Sequence, residues 1–209
     1  MRKTLSLVVS LLVAWASLVA ASPAAAVTNY TVTVVASGGS SENTNWTYAN
    51  GEITPSASVS INASDIVGKL ALGPLVINGD RILVNTSVIH STANKLTFKS
   101  AGNIIVGGGL TIQSQNGDIV FNSDSDGNST GHVRFGWDAN CTMGHINTNG
   151  GDIIVGGGSN PATTVTAAQN NDAAATTCPG GTPPLAGVGF YNFTMDAGGG
   201  DISVRAGSP

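Results

Sequence analysis

Short apolar runs, each introduced by glycine with asparagine or aspartate, recur along the chain. Four such phrases align, at 102–106, 117–121, 151–155 and 200–204, and their first residues lie 15, 34 and 49 positions apart. Glycine beside asparagine or aspartate favours a turn, and the β-branched or aromatic residues that follow favour a short strand. Because side chains alternate along a strand, the first and third apolar residues of each phrase share one face. We predict that this common face forms the core.

Strands this short cannot fold singly, since each buried apolar side chain stabilises the fold by only about 1.5–3 kcal/mol. Several equivalent strands must stack to offset the conformational entropy of the chain. The recurring phrase therefore predicts an all-β fold of the β-solenoid class. Even spacing of short strands is also typical of a β-sandwich, which is the alternative.

The stretch 75–121 contains the most regular succession of predicted strands, separated by turns. The glycine runs 107–109 and 156–158 are predicted corners, because corners need backbone conformations that β-carbons resist. Flexible linkers are the alternative, although linkers lack flanking apolar triplets. The predicted strands are LVING, RILVNTSVIHS, KLTFKS, NIIVGG, LTIQSQ and DIVFNS.

Three regions precede or interrupt these repeats. Residues 1–26 are a predicted signal peptide, and residues 27–74 are an irregular β region in which Trp46 and Tyr48 are candidates to cover the open end of a stack. Within that region, strands are predicted at NYTVTVVAS and at ASVSINASDI. Residues 75–209 are the predicted solenoid repeats, with a long surface loop at 159–187 that is rich in Pro, Ala, Thr and Asn.

The amino terminus indicates export. Arg2 and Lys3 precede an apolar run that ends in small residues, as in a cleavable secretory signal, with retention as a membrane anchor as the alternative. No second apolar run is long enough to span a membrane. Removing Arg2 and Lys3 from the eight Lys and Arg leaves six against twelve Asp and Glu, so the formal net charge changes from −4 to −6. We expect a secreted or cell-surface protein that does not bind nucleic acid.

The chain contains two cysteines, Cys141 and Cys178. Neither belongs to a CxxC motif or stands beside a histidine at ligand spacing. An exported chain permits them to form a disulfide, and two free thiols or a metal ligand role are the alternatives.

An acidic turn between predicted strands resembles the start of a calcium-binding loop. Asp124, Asp126 and Asn128 are candidate calcium ligands, but Val133 stands at the twelfth position, where such a loop requires a bidentate glutamate. A polar turn without metal is the favoured interpretation, so no cofactor is expected.

Asp118, Asp152 and Asp201 occupy the same position in three of the phrases. Carboxylates clustered on stacked strands are typical of enzymes that cleave polysaccharides, which makes such an enzyme an alternative. Turn geometry explains these residues equally well, and we predict a non-catalytic protein. The histidines are scattered singly, and His90 and His132 are predicted to be polar surface residues on strands.

The pattern Asn-Gly-Gly-Asp/Asn-Ile followed by Gly-Gly-Gly, with an Asp-Ser-Asp-Gly turn between strands, resembles large bacterial secreted proteins of the filamentous-haemagglutinin type. The resemblance covers most of the chain after the signal peptide. It implies a right-handed parallel β-helix in a surface-exposed or released adhesin without a reaction centre. Because such proteins are far longer and this chain stops directly after a repeat phrase, we expect it to be the amino-terminal part of a larger protein.

Three functions are compatible with these patterns. The favoured one is an adhesin-like repeat protein that attaches to a glycan or protein on a host or neighbouring cell. Trp137, Tyr191 and the loop at 159–187 are the candidate contacts, since aromatic residues and long loops commonly supply them. The alternatives are a structural spacer or stalk and the polysaccharide-active enzyme.

Overall fold

The computed structural model describes residues 29–136, 142–165 and 187–207. Short strands dominate these residues, together with one helix. The first nine strands and the helix are β1 (Thr31–Val35), β2 (Trp46–Ala49), β3 (Glu52–Pro55), β4 (Val59–Asn62), α1 (Ala63–Leu70), β5 (Leu75–Gly79), β6 (Arg81–Val84), β7 (Val88–Ile89), β8 (Leu96–Ser100) and β9 (Ile104–Val106). The remaining strands are β10 (Thr111–Gln113), β11 (Ile119–Ser123), β12 (Val133–Phe135), β13 (Gly144–Asn147), β14 (Ile153–Gly157), β15 (Val188–Phe190), β16 (Phe193–Asp196) and β17 (Ile202–Val204).

The strands form three sheets in which each strand, from β5 onward, pairs with the strand three positions later. The first sheet has the order β15-β12-β9-β6-β1-β4, the second β16-β13-β10-β7, and the third β17-β14-β11-β8-β5-β3-β2. Among the described strands every pairing is parallel except that of β2 with β3, which is antiparallel. The predicted all-β class with parallel sheets is therefore confirmed.

From β5 onward, each set of three consecutive strands contributes one strand to every sheet, and we call such a set a level. The four complete levels span residues 75–89, 96–113, 119–147 and 153–196, and β17 begins a fifth. From β5 onward, consecutive strands of the chain therefore lie in different sheets, and the neighbours within a sheet come from successive levels.

The four aligned phrases do not all occupy equivalent places. Ile119 of β11 pairs with Ile153 of β14, which pairs with Ile202 of β17, so three phrases stack in register within the third sheet. The phrase at 102–106 instead forms β9 of the first sheet, where Ile104 pairs with Ile82 and Val133. The offset of 15 residues therefore separates two strands that lie in different sheets and in neighbouring levels. The offsets of 34 and 49 residues separate strands of one sheet in successive levels.

Apolar residues from all three sheets form one buried cluster. Aromatic rings run through it from level to level. The rings of Phe98 and Phe121 are stacked with centroids 5.3 Å apart, and Phe135 meets Phe121 edge-on at 4.9 Å. Phe190, which is partly exposed, stacks on Phe135 at 5.1 Å at the edge of the cluster. Such aromatic pairs stabilise by about 0.5–1.5 kcal/mol beyond their area burial.

The predicted strand at ASVSINASDI is wrong in its second half, where the chain turns into α1. Asn62 is the N-cap in an extended conformation, Asp65 lies in the first turn and Lys69 in the last, an arrangement that complements the helix dipole. Ile66 and Leu70, one turn apart, are both fully buried. This spacing buries one face of the helix, and tertiary burial therefore outweighs the local preference for strand.

The glycine run at 156–158 is only partly a corner. Gly156 and Gly157 continue β14, and the turn begins at Gly158, whose φ is +64°. A β-carbon at Gly156 would lie 2.0 Å from the carbonyl oxygen of Pro161, because the following turn folds back over the strand. Close backbone approach explains the glycine there.

Candidate binding surface

The second sheet presents a polar surface to solvent. Strands β10, β13 and β16 each read polar, apolar, polar, with Ile112, Ile146 and Met195 directed toward the core. The outward residues stack in two rows, in which each member pairs with its counterpart one level away. We call these six residues the polar face: Thr111, His145 and Thr194 in one row, and Gln113, Asn147 and Asp196 in the other.

The polar face lines a shallow groove. His145 Nδ1 lies 2.6 Å from Thr194 Oγ1, which links two levels across the first row. In the second row, Asn147 Oδ1 accepts a hydrogen bond from the Asn149 backbone N–H at 3.0 Å, and Asp196 Oδ1 accepts one from the Gly198 N–H at 2.9 Å. These bonds fix the amide and the carboxylate through one oxygen each.

The chemistry of the polar face suits a neutral, hydroxyl-bearing ligand. Its side chains are two amides, two hydroxyls, one imidazole and one carboxylate, and it contains no Lys or Arg. Amides and hydroxyls both donate and accept hydrogen bonds, as a sugar hydroxyl does. Successive levels lie about 4.8 Å apart, so each row offers polar groups at a regular interval.

Sequence reasoning missed the polar face, although a signal for it is present. The triplets Thr-Ile-Gln, His-Ile-Asn and Thr-Met-Asp begin at 111, 145 and 194, which are 34 and 49 residues apart. These are the same offsets that separate the phrases at 117, 151 and 200. Because these triplets repeat with the same offsets as the phrases, they indicate a second sheet of stacked strands.

The structure places Tyr191 away from the polar face, in the turn between β15 and β16. Its side chain is partly buried, and its backbone N–H donates to the carbonyl of Phe135 at 2.9 Å. Burial raises the pKa of the Tyr191 phenol, while the nearby positive charge of Arg134 opposes that rise. A binding role for Tyr191 stays a prediction.

The acidic turn at 124–128 uses its side-chain oxygens within the turn itself. Asp124 Oδ1 accepts a hydrogen bond from the Ser129 N–H at 3.0 Å, and Asp126 Oδ2 accepts one from Asn128 Nδ2 at 2.8 Å. Burial, and secondarily the negative charge of Asp126, raise the pKa of Asp124. Within the described ranges, no group of three His, Cys, Asp or Glu side chains is placed to hold a metal ion. Calcium binding by Asp124, Asp126 and Asn128 stays a prediction.

The carboxylates of the repeated phrases link successive levels. Asp118 Oδ1 accepts the backbone N–H of Asp152 at 3.0 Å, and Asp152 Oδ1 accepts the N–H of Asp201 at 2.9 Å. The turn position predicted for these residues is therefore shared, and one carboxylate oxygen each of Asp118 and Asp152 is engaged in the fold.

Two histidines lie where they were not expected. His90 and His132 are both buried, so their predicted surface positions are wrong, whereas His145 is exposed. His90 N donates to the Gln113 carbonyl at 2.9 Å, which places it at the corner position that Ser114 takes one level later. Corner residues at this position point inward, and burial lowers the pKa of the His90 imidazole.

Several predicted features lie outside the described residues. They are the signal peptide at 1–26, Trp137, the cysteines Cys141 and Cys178, and most of the predicted loop at 159–187. Of that loop, the structure describes the turn at 159–165 and Gly187.

No protein-family model matches this chain, and no curated protein or solved structure is significantly similar to it. In the part of the chain that the structure describes, no helix is both long enough and apolar enough to cross a membrane.

Proposed function

We propose that the levels are successive coils of a right-handed parallel β-helix. The parallel pairing of strands three apart supports this architecture, as does the single buried cluster to which all three sheets contribute. The handedness follows from the rule that connections between parallel strands of one sheet are right-handed in nearly all proteins.

We further propose that the protein is exported and acts as a non-catalytic attachment module of the adhesin kind, at the cell surface or after release. The observation that carries the proposal is the in-register stacking of the polar face across three levels. The predicted signal peptide and the resemblance to filamentous-haemagglutinin-type repeats also support it. The ligand is a neutral glycan, or a glycosylated protein, on a host or neighbouring cell.

Binding is distributed over the levels rather than concentrated at one residue. Gln113 and Asn147 supply amide groups, and Asp196 supplies a carboxylate oxygen. Each hydrogen bond to the ligand contributes about 0.5–1.5 kcal/mol, so affinity requires several levels at once. A regular polar surface on stacked strands meets that requirement, because hydrogen bonds already hold four of its six side chains before binding.

The proposal is tested with a triple variant of the polar face, Gln113→Ala, His145→Ala and Thr194→Ala, which keeps the turn-capping Asn147 and Asp196. The purified protein is assayed for binding to immobilised neutral glycans and to cells. We expect at least a tenfold loss of affinity in the triple variant. The matched control replaces Thr33, Ser60 and Thr97, outward polar residues of the other two sheets, by alanine and retains binding. Wild-type protein without affinity for any glycan or cell, or a triple variant that binds normally, contradicts the proposal.

A structural spacer is the second candidate function, and the uniform repetition of levels favours it. Deletion of the loop at 159–187 gives a further comparison. Loss of attachment in either the loop deletion or the polar-face variant supports an adhesin. A protein that binds neither through the loop nor through the polar face supports a spacer.

A further inference from the structure

Two regular spacings describe the polar face. Each of its residues pairs one-to-one with its counterpart in the next level, so neither row is displaced as it passes through the three levels. Successive levels lie about 4.8 Å apart, and the two rows lie about 6.6 Å apart, because their members are separated by two residues of a strand. The face points sideways from the stack, so additional levels would lengthen it and would not cover it.

The second row repeats in side-chain conformation as well as in position. Asn147 Oδ1 and Asp196 Oδ1 each accept the backbone N–H of the residue two places later, at 3.0 and 2.9 Å. The same contact in both levels gives the amide and the carboxylate the same orientation relative to their strands. Their remaining polar atoms, Asn147 Nδ2 and Asp196 Oδ2, therefore recur at the interval of the levels.

The extent of the face along the stack exceeds its extent along any strand. Strands β10, β13 and β16 each contribute only two of its residues. Left-handed backbone at Gly109, with φ of +69°, and at Asn116, with φ of +67°, turns the chain shortly before and shortly after β10. A ligand lying along one strand would meet two polar side chains, whereas a ligand lying along the axis of the stack meets a new pair at every level. The geometry therefore favours an axial ligand.

An extended β-1,4-linked glycan has the dimensions of this surface. In chains of glucose or N-acetylglucosamine both bonds of this linkage are equatorial, so the chain is straight and its rise per sugar is close to the interval between levels. The hydroxyl groups project to the two sides of the chain at a separation comparable to that of the two rows. Each hydroxyl both donates and accepts, as the amides and hydroxyls of the face do. An α-1,4-linked chain curves and leaves this register after one or two sugars.

We propose that the polar face binds a straight β-1,4-linked glycan that runs along the axis of the stack, with one sugar at each level. This inference rests on the proposed function, and it specifies the class and the direction of the ligand. Ile89, which follows Gln113 in the second row toward the amino-terminal end, is apolar and 54% exposed. Polar contacts with the glycan therefore begin at the level of Gln113, and the three levels hold three consecutive sugars.

The first test compares glycans by length and by linkage. β-1,4-linked oligomers of glucose and of N-acetylglucosamine, from one to four sugars, are titrated into the full exported chain by calorimetry, beside α-1,4-linked glucose oligomers of the same lengths. In at least one β-linked series, the Kd should fall about threefold or more with each sugar added up to three, since each level adds its own hydrogen bonds. The α-linked series should show no such dependence. Affinity that does not change with the length of either β-linked series, or an α-linked series that binds as tightly, overturns the proposal.

A variant at one end of the face tests the direction of the ligand. Thr111→Ala/Gln113→Ala removes the contacts of an outer level, and among the described residues neither side chain has a hydrogen-bond partner in the fold. Affinity for the β-linked trisaccharide should fall about tenfold or more, whereas the disaccharide, which can occupy the other two levels, should lose about twofold. His145→Ala acts at the central level and should weaken both oligomers about equally. The matched control Thr33→Ala/Ser60→Ala changes a register pair of the first sheet and should bind both oligomers as wild type does.

The outcomes separate this inference from the proposed function. Circular dichroism verifies that every variant is folded. Equal losses for the disaccharide and the trisaccharide in the outer-level variant overturn the axial arrangement. If neutral glycans bind and the triple variant of the polar face loses that binding, but neither length nor linkage affects affinity, the proposed function is supported and this inference is overturned. Wild-type protein without affinity for any glycan or cell overturns both.

Discussion

The Asp118 carboxylate accepts a hydrogen bond from the backbone N–H of Asp152, 34 residues later in the chain, at 3.0 Å. Asp152 makes the same contact with Asp201, 49 residues later, at 2.9 Å. At these two turns an aspartate side chain thus binds the backbone of the next level, in the direction in which the strands pair. The recurrence of aspartate in the phrases has a structural cause, which is the attachment of one level to another.

This contact predicts a difference between two substitutions of Asp118. Asp118→Ala removes the acceptor and should lower the free energy of unfolding by about 1–2 kcal/mol, because the Asp152 N–H loses its partner. Asp118→Asn keeps a side-chain oxygen at the same place and should cost less than half as much. Urea denaturation followed by circular dichroism measures both. Equal losses in the two variants would indicate that the charge, and not the hydrogen bond, matters.

The aromatic stack predicts where the core is most sensitive. Phe121 is fully buried between Phe98 and Phe135, so Phe121→Ala should destabilise the protein by about 3–5 kcal/mol. Ile89→Ala, at an exposed position, should change stability by less than about 0.5 kcal/mol. Both are measured by thermal or urea denaturation. A small effect at Phe121 would show that the rings do not pack between the three sheets.

Burial of His90 predicts that the protein loses stability in mild acid. Burial lowers the pKa of His90 in the folded state below its ordinary value of 6.5. Below that value the unfolded chain takes up a proton that the folded chain resists, so stability falls as the pH decreases from about 6.5 and levels off beneath the folded pKa. His90→Asn removes this component of the decline.

The measurement is Tm between pH 7.5 and pH 5, with the exposed His145→Asn as the matched control. The His90 variant should show a shallower loss of Tm than wild type, and the His145 variant should not. An identical pH dependence in wild type and the His90 variant would argue against a buried neutral imidazole.

The acidic turn gives a prediction of opposite sign. Burial raises the pKa of Asp124, so its charged form is disfavoured in the folded state at neutral pH, and that cost disappears as the pH falls through the raised pKa. Asp124→Asn should therefore raise Tm at pH 7, with an advantage that shrinks toward pH 4.

Millimolar calcium should leave the Tm of wild type unchanged, since the turn oxygens already accept hydrogen bonds. A calcium-dependent rise of Tm in wild type that Asp124→Asn abolishes would instead establish the metal site.

Local patterns predicted the strands well and their partners incompletely. The succession from β5 to β11 follows directly from the alternation of apolar residues and turns between 75 and 121. Which strands are neighbours depends on offsets between distant phrases, and the phrase at 102–106 resembles the others while lying in a different sheet. Similar short sequences recur there because most strands of the first and third sheets place two apolar side chains in the core.

Other features depend on tertiary position and have little local signal. Helix α1 has eight residues and interrupts a strand-like sequence, and its helical signals, an N-cap asparagine and the spacing of Ile66 and Leu70, are few in so short a segment. His90 and Ser114 take the same inward corner position, which continues the alternation of Val88 and Ile112 but which their polar side chains do not suggest. The polar face was visible as repeated triplets, but its significance required the register of β10, β13 and β16.

The central claim is that strands three apart stack in parallel register, and an engineered disulfide tests it most directly. In a Cys141→Ser/Cys178→Ser background, His145→Cys and Thr194→Cys introduce thiols at paired positions 49 residues apart. Adjacent parallel strands lie about 4.8 Å apart, within the range that a disulfide spans. Mild oxidation should therefore form an intramolecular bond, detected by mass spectrometry and mobility on a non-reducing gel. Thr111→Cys with Thr194→Cys, two levels apart, should form none. Failure of the 145–194 pair to form a bond, or equally efficient bonding of the 111–194 pair, would contradict the stacked arrangement.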